Sequence, residues 1–294
     1  MSQIISSKQL VEKLKEQAVE KVEFIERQLG ITPCLKILMA GNNPASISYV
    51  TKKVELAKAC GMISEIVYLD ENKFLEYDRI TTEMNQSSEI NGFMLQLPYP
   101  EKLLELNDTL KEGFNINTAK DVDCLEEETY VKMLAGEDDA FVPCTPLGVL
   151  RYLEHLDIDI EGTHFAIIGR SRLVGKPLAD LILAKGGTLT VCHSKTKDLK
   201  RAIAGADVVI SVVGNYGLLN EDNVLPHHVL IDVGINKVDG KLEGDATQQA
   251  RELAKIATPV PGGVGPLTVM SLITNAIDAC YIQNGLKRPE WQVK

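Results

Sequence analysis

Two α/β domains built on parallel sheets are what this 294-residue chain predicts, and three observations lead there. Short apolar runs alternate with helical patterns, the signature of parallel βαβ units. The alternation comes in two series that meet near residue 145, and the length suits two domains of ordinary size. The second series opens on Phe165-Ala166-Ile167-Ile168-Gly169-Arg170-Ser171-Arg172-Leu173-Val174-Gly175-Lys176-Pro177, an apolar run that breaks into a glycine-bounded basic loop.

The first element is an amphipathic helix over 7–28, where Leu10, Val11, Leu14, Ala18, Val22 and Ile25 recur at helical spacing. Strands follow at 34–39, 65–68 and 92–96, with helices at 44–60 and 74–86 between them. Right-handed crossovers put the strand C-termini along one edge, where such sheets bind ligands. A helix over 146–156 links the two series. The second series has strands at 165–168, 189–192, 208–212 and 229–233, with helices at 178–184 and 197–204. A last apolar helix, 267–281, has no strand after it and is expected to pack back on the first domain. The segment Thr258-Pro259-Val260-Pro261-Gly262-Gly263-Val264-Gly265-Pro266 is too apolar and too tightly punctuated for a flexible linker, and reads as a rigid loop between domains.

Composition limits the partners. A hydrophobic content of 45% supports real cores, and the net charge of −10 excludes broad binding to nucleic acid or an acidic membrane. A basic pocket in such a chain still attracts a small polyanion. Six cysteines are scattered without a Cys-x-x-Cys pair, several inside apolar runs, so most read as buried free thiols in a reducing compartment. The five histidines do not cluster with them, so no metal site is expected. No signal peptide precedes Gln9 and no apolar run spans a bilayer, so the expected location is the cytoplasm.

Gly169 permits a tight turn, Gly175 allows close backbone approach, and Pro177 suits a first helical turn. With helix-start N–H groups and the helix dipole facing outward, and with Arg170 and Arg172 beside them, the loop reads as an anion site. The match to Gly-x-Gly-x-x-Gly is imperfect, with Ser171 at the middle glycine and Gly175 one residue late. On these residues alone a plain buried strand-turn-helix reads equally well. After the next strand, Ser194 and Lys195 stand where NAD-preferring sites carry an acid, which together with Arg170 favours a 2′-phosphate.

In the first series, Tyr49 and Lys53 lie four apart on one helix face, an aromatic platform beside an amine. A half-buried tyrosine with a solvated lysine is the blander reading, and the pair alone favours it. Gln96 ends a strand and is fenced by Pro98 and Pro100, as a strand cap or a ligand group. In Lys120-Asp121-Val122-Asp123, Asp123 is either a solvated turn residue or an acceptor for a donor-rich ring. Cys144 has no base beside it in sequence, so a nucleophilic role is not expected. Thr145 reads as the N-cap of the helix that follows.

Together these segments resemble the bifunctional methylenetetrahydrofolate dehydrogenase/methenyltetrahydrofolate cyclohydrolase family. The resemblance runs through Gly41-Asn42-Asn43-Pro44-Ala45-Ser46 with Tyr49 and Lys53, then Gln96-Leu97-Pro98, Lys120-Asp121-Val122-Asp123 and Pro143-Cys144-Thr145-Pro146. It continues through the 169–177 loop, His193-Ser194-Lys195-Thr196, Asp232-Val233-Gly234 and the 258–266 loop. It implies oxidation of 5,10-methylenetetrahydrofolate with NADP and hydrolysis of the methenyl product to 10-formyltetrahydrofolate, in one-carbon metabolism and purine biosynthesis. It also implies a homodimer whose subunits have a cleft between a folate domain (1–145 with about 267–294) and a Rossmann-type, doubly wound NADP domain (146–266). Lys53 is then the catalytic group, Tyr49 stacks on the folate and Gln96 orients the lysine. Ser46, Asp123, Pro261, Gly262 and Gly263 join Tyr49 around the substrate. Thr145, Gly169, Arg170, Ser171, Val174, Gly175, Ser194 and Ile235 hold NADP.

One region departs from the family. The family continues Asp-Val-Asp with Gly-Phe and later Asn-x-Gly, whereas here Asp123 precedes Cys124-Leu125-Glu126-Glu127-Glu128-Thr129-Tyr130. Loss of that glycine is expected to alter the loop beside the pterin. It leaves open a monofunctional dehydrogenase; a non-catalytic folate- or nucleotide-binding protein would leave Tyr49, Lys53 and Gln96 unexplained, and another NADP oxidoreductase of similar plan would leave Tyr49, Lys53 and the 258–266 loop unexplained.

Overall fold

A computed structural model describes residues 2–294. Met1, where the expected folate domain starts, and the side chain of Ala45 in the 41–46 motif lie outside the described residues. The chain divides into two compact units. One comprises Leu14–Cys144 with Val269–Gln292; the other comprises the chain up to Lys13, Thr145–Thr268 and Val293–Lys294.

The chain begins with β1 (Gln3–Ile4) and α1 (Lys8–Leu29), then β2 (Cys34–Ala40), α2 (Pro44–Ala59) and β3 (Ile63–Leu69). A 3-10 turn, Glu71–Glu76, leads into α3 (Tyr77–Gln86), and β4 (Gly92–Leu95), α4 (Glu101–Leu106), α5 (Asp108–Glu112) and α6 (Glu127–Ala135) follow. Next come α7 (Cys144–His155), β5 (His164–Ile168), α8 (Gly175–Ala184), β6 (Thr188–Cys192), α9 (Leu199–Ile203) and β7 (Val208–Ser211). The chain closes with β8 (Val229–Asp232), β9 (Asn236–Val238), β10 (Lys241–Glu243), α10 (Gln248–Leu253), β11 (Ile256–Ala257) and α11 (Val264–Gln283).

The first unit holds a parallel sheet in the order β3-β2-β4. Six of the seven residues of its central strand, β2, are buried, which is why the run 34–39 is apolar without alternation except at the half-buried Lys36. The second unit holds a six-stranded sheet, β1-β11-β8-β7-β5-β6, whose neighbours all pair in parallel, and β9 with β10 forms a separate antiparallel hairpin. A core of small and branched residues, among them Ala166, Ile168, Val209, Leu230 and Ala250, packs in this unit.

Several boundaries differ from expectation. The helix read at 74–86 starts as a 3-10 turn, because Asp70 accepts from the Asn72 N–H at 3.0 Å and sets a tighter entry. The helix read at 197–204 shrinks to α9, since Asp198 caps it by accepting from the Arg201 N–H at 3.0 Å. Thr145 is not an N-cap: α7 already includes Cys144, and the Thr145 hydroxyl instead accepts from the Thr268 Oγ1–H at 3.3 Å. The last helix begins at Val264, so the end of the 258–266 loop is its first turn, where Pro266 costs no hydrogen bond.

Candidate active site

In the first unit the site starts at the N-terminus of α2. Asn43 Oδ1 accepts from the Ser46 N–H at 3.3 Å, and Gly41 before it has φ +79° with Pro100 packed where a Cβ would stand. Ser46 is buried one turn ahead of Tyr49. Tyr49 and Lys53 share the next face, with Lys53 Nζ 4.7 Å from the tyrosine ring centroid. The lysine is only 4% exposed, so the solvated reading is excluded.

Gln96 leaves β4 with its N–H on Leu38 O at 2.8 Å. Its Nε2 donates to Leu97 O at 2.5 Å, which turns Oε1 toward Lys53, and Oε1 accepts from Nζ at 3.0 Å. Met94 Sδ lies 3.5 Å from the same nitrogen. Burial lowers the Lys53 pKa, while Asp123 and Cys144 pull it back up. The Tyr49 hydroxyl is pushed up, first by burial and then by Asp123 and Cys144. Lys53, Tyr49, Gln96 and Asp123 are therefore one constellation.

The 120–126 turn serves Asp123. Lys120 Nζ donates to Met84 O at 2.8 Å and Ser87 O at 2.5 Å, tying the turn to the end of α3. Asp121 accepts from the Leu125 and Glu126 N–H groups, both at 2.9 Å, and burial raises its pKa to about 6. Asp123, half-buried, accepts from the Cys144 N–H at 3.2 Å. The Cys144 thiol donates to Val122 O at 3.4 Å, a structural contact. Sequence reasoning missed Asn275 on α11, whose Nδ2 donates to Val122 O at 2.8 Å and Val142 O at 2.9 Å. An asparagine inside an apolar helical stretch was the available signal.

The divergent loop holds its turn without the family's glycine. Cys124 adopts φ +53°, the left-handed backbone that glycine takes most readily. Glu126 is not a stray surface charge. Its Oε1 accepts from the N–H groups of Phe114 at 2.9 Å and Ile116 at 2.8 Å.

The second unit carries the glycine-bounded loop. Gly169 has φ +115°, and a Cβ on it would lie 2.6 Å from Val212 Cγ2. A Cβ on Gly175 would lie 2.3 Å from Gly169 O, so α8 starts directly against the turn. The helix-start N–H groups do not all face outward as expected. Those of Gly175, Lys176 and Leu178 donate to Ser171 Oγ, Ser171 O and Val174 O, at 3.3, 3.0 and 3.0 Å. Val174, at the N-cap position, supplies no side-chain cap. Anion attraction therefore falls to the helix dipole and to the exposed Arg170 and Arg172.

The turn after β6 exposes Ser194 and Lys195, held by Thr196 Oγ1 accepting from the His193 N–H at 2.9 Å. Ile235, beyond β8, is 61% exposed. Pro261, Gly262 and Gly263 belong to this unit. Ser7 Oγ donates to Gly263 O at 2.6 Å, and a Cβ on Gly263 would lie 2.5 Å from Pro259 O. Glycines missing a Cβ for lack of room, and exposed basic and hydroxyl side chains beyond two neighbouring strands, fit a phosphorylated dinucleotide. Among the described residues no group of His, Cys, Asp and Glu could hold a metal, and no helix is long and apolar enough to cross a membrane.

Residues 5–123 match the family described as tetrahydrofolate dehydrogenase/cyclohydrolase, catalytic domain, and 143–284 match its NAD(P)-binding domain. The bifunctional protein FolD of Staphylococcus saprophyticus is 39% identical over 292 residues, covering 98% of this chain and 100% of that one. A crystal structure of the bifunctional enzyme FolD, methylenetetrahydrofolate dehydrogenase/cyclohydrolase, from Campylobacter jejuni is similar at TM-score 0.87 and 35% identity, covering 97% of this chain and 100% of that chain. The Trypanosoma brucei methylenetetrahydrofolate dehydrogenase-cyclohydrolase, solved with NADP cofactor and an inhibitor, is similar at TM-score 0.85 and 30% identity, covering 94% and 96%.

Proposed function

The chain belongs to the tetrahydrofolate dehydrogenase/cyclohydrolase family, and from that premise we propose how its own residues oxidise 5,10-methylenetetrahydrofolate with NADP and hydrolyse the methenyl product. The observation that carries the reading is the buried Lys53, hydrogen-bonded to Gln96 Oε1 at 3.0 Å beside the Tyr49 ring.

In the first step a folate nitrogen lone pair expels hydride from the methylene carbon and leaves a resonance-stabilised amidinium. Thr145, Gly169, Arg170, Ser171, Val174, Gly175, Ser194 and Ile235 would hold NADP, which would supply the hydride acceptor. No base is needed, so positioning is most of the work. Tyr49 stacks on the folate, Asp123 accepts from the pterin, and Ser46, Pro261, Gly262 and Gly263 complete the substrate contacts. In the second step water adds to the methenyl carbon and gives up one proton, the bond from that carbon to N5 breaks, and the remaining hydroxyl proton passes to N5 as the carbonyl of the 10-formyl product forms. Lys53 takes the first proton: its burial favours the neutral amine, and Gln96 fixes Nζ.

Lys53→Met fills the same buried volume without the amine. It is expected to remove methenyl hydrolysis above the buffer rate while measurable NADP reduction remains. Equal loss of both activities overturns the assignment. Arg170 and Ser194 favour NADP, so initial rates are expected to be higher with NADP than with NAD. A homodimer is supported by the open edge β3, which exposes Ile63 and Tyr68; sedimentation as a monomer overturns it. Six buried thiols without a disulfide support the cytoplasm, which cell fractionation checks.

A further inference from the structure

The cofactor unit contains a buried carboxylate that no part of this mechanism uses. Asp245 follows the β9–β10 hairpin and is fully buried. Four donors converge on it. Ser211 Oγ–H and the Val213 N–H reach Oδ2 at 2.6 and 3.0 Å, and the Asn215 N–H and Asn236 Nδ2–H reach Oδ1 at 2.6 and 3.2 Å. Ser211 ends β7, Val213 and Asn215 lie in the loop beyond it, and Asn236 opens β9 where the loop beyond β8 ends. One side chain thus ties together two adjacent loops on the carboxyl edge of a parallel sheet, the edge where such sheets bind ligands.

The space around it is exclusive. A Cβ on Gly234 would lie 2.0 Å from Asp245 Oδ1. The tied loops display Val213 and Ile235, large apolar side chains that are 45% and 61% exposed. Val212, next to Val213, packs where Gly169 would carry a Cβ, so the first loop also touches the glycine turn. Exposed apolar groups on a rigidly fixed edge suit a flat ring, and a buried carboxylate with four donors is a strong fixing point.

We propose that Asp245 is a positioning residue that sets Val213 and Ile235 as the apolar wall against which the dinucleotide's ring packs. This rests on reading the unit as the NADP site. It predicts a division of labour that a general structural role would not produce: loss of Asp245 weakens NADP binding while leaving hydrolysis, which needs no NADP and depends on Lys53 in the other unit.

Asp245→Asn keeps the size but turns an NH2 donor toward donors. NADPH fluorescence titration is expected to show a dissociation constant at least tenfold higher. The KM for NADP should rise with it, kcat should stay within threefold, and NADP-free methenyltetrahydrofolate hydrolysis should stay within twofold. Asn236→Ala, at a half-buried position that tolerates truncation, is expected to raise the NADPH dissociation constant at least threefold with hydrolysis retained. Unchanged NADPH affinity in either folded variant, or hydrolysis falling in step with it, overturns the proposal. Wild-type protein that hydrolyses the methenyl substrate but binds no NADPH overturns the NADP reading itself.

Discussion

A lysine that accepts a proton from water must first be neutral, and Lys53 has its pKa lowered chiefly by burial. The cationic substrate adds to that bias; it does not have to create it. Asp123 works against it, so its distance from Nζ is consequential, and the turn that carries Asp123 is where this chain departs from its family. Cys124 occupies the left-handed backbone at φ +53° with its side chain buried. That conformation costs an L-residue about 1 kcal/mol, and burying a group of this size returns a similar amount, ~1 kcal/mol. Cys124→Gly is therefore expected to leave the melting temperature within a few degrees and the folate KM within twofold. A tenfold KM change would show that the thiol itself, and not the turn's backbone, places Asp123.

At the scale of elements, α8 starts hard against the turn after β5, backbone on backbone. An added Cβ at Gly175 would lie 2.3 Å from Gly169 O and 2.9 Å from Arg170 Cα, both backbone atoms that no rotamer change can clear. Gly175→Ala is expected to destabilise the protein by about 2 kcal/mol, as overpacked sites do, and to weaken NADPH binding by at least tenfold. Denaturant melts with and without NADP, read beside methenyl hydrolysis, check both. Elements this rigid were legible in the sequence because their signals are local: α1 repeats Leu10, Leu14, Ala18, Val22 and Ile25 on one buried face, and β2 is apolar at every position but Lys36. The two-residue strands β1 and β11 were not, since Gln3 pairs with Ile256 across the whole chain and no local pattern records it. The site divides the same way. Tyr49 and Lys53 announce a shared helix face, but burial of the amine and the direction of the Gln96 amide are tertiary facts. Asp245 carries no local mark, because its four donors come from other loops.

For the molecule as a whole, pH brings out two buried groups of opposite sign, one in each unit. Burial raises Asp121 from its ordinary 3.8 to about 6, against the pull of the two N–H groups it accepts. A raised folded pKa means the native state holds the proton more tightly, so this contribution is present below 3.8 and is lost as pH rises to about 6. His228 is lowered from 6.5 to about 4, chiefly by burial and then by His227. Its Nδ1 accepts from the Leu225 N–H at 3.0 Å, a bond the protonated ring cannot accept. Its contribution is present above 6.5 and is lost as pH falls to about 4. Over the shared window the two slopes oppose each other, so wild-type stability alone conceals both. Asp121→Asn and His228→Asn separate them: the stability gap between wild type and Asp121→Asn should shrink as pH rises from about 4 to 6, while the gap to His228→Asn should widen from about 4 to 6.5. Urea midpoints for the three proteins across that range are the measurement. Gaps that do not change with pH would mean that neither group titrates differently in the folded and unfolded chains, and burial would then have to be rejected as the source of both shifts.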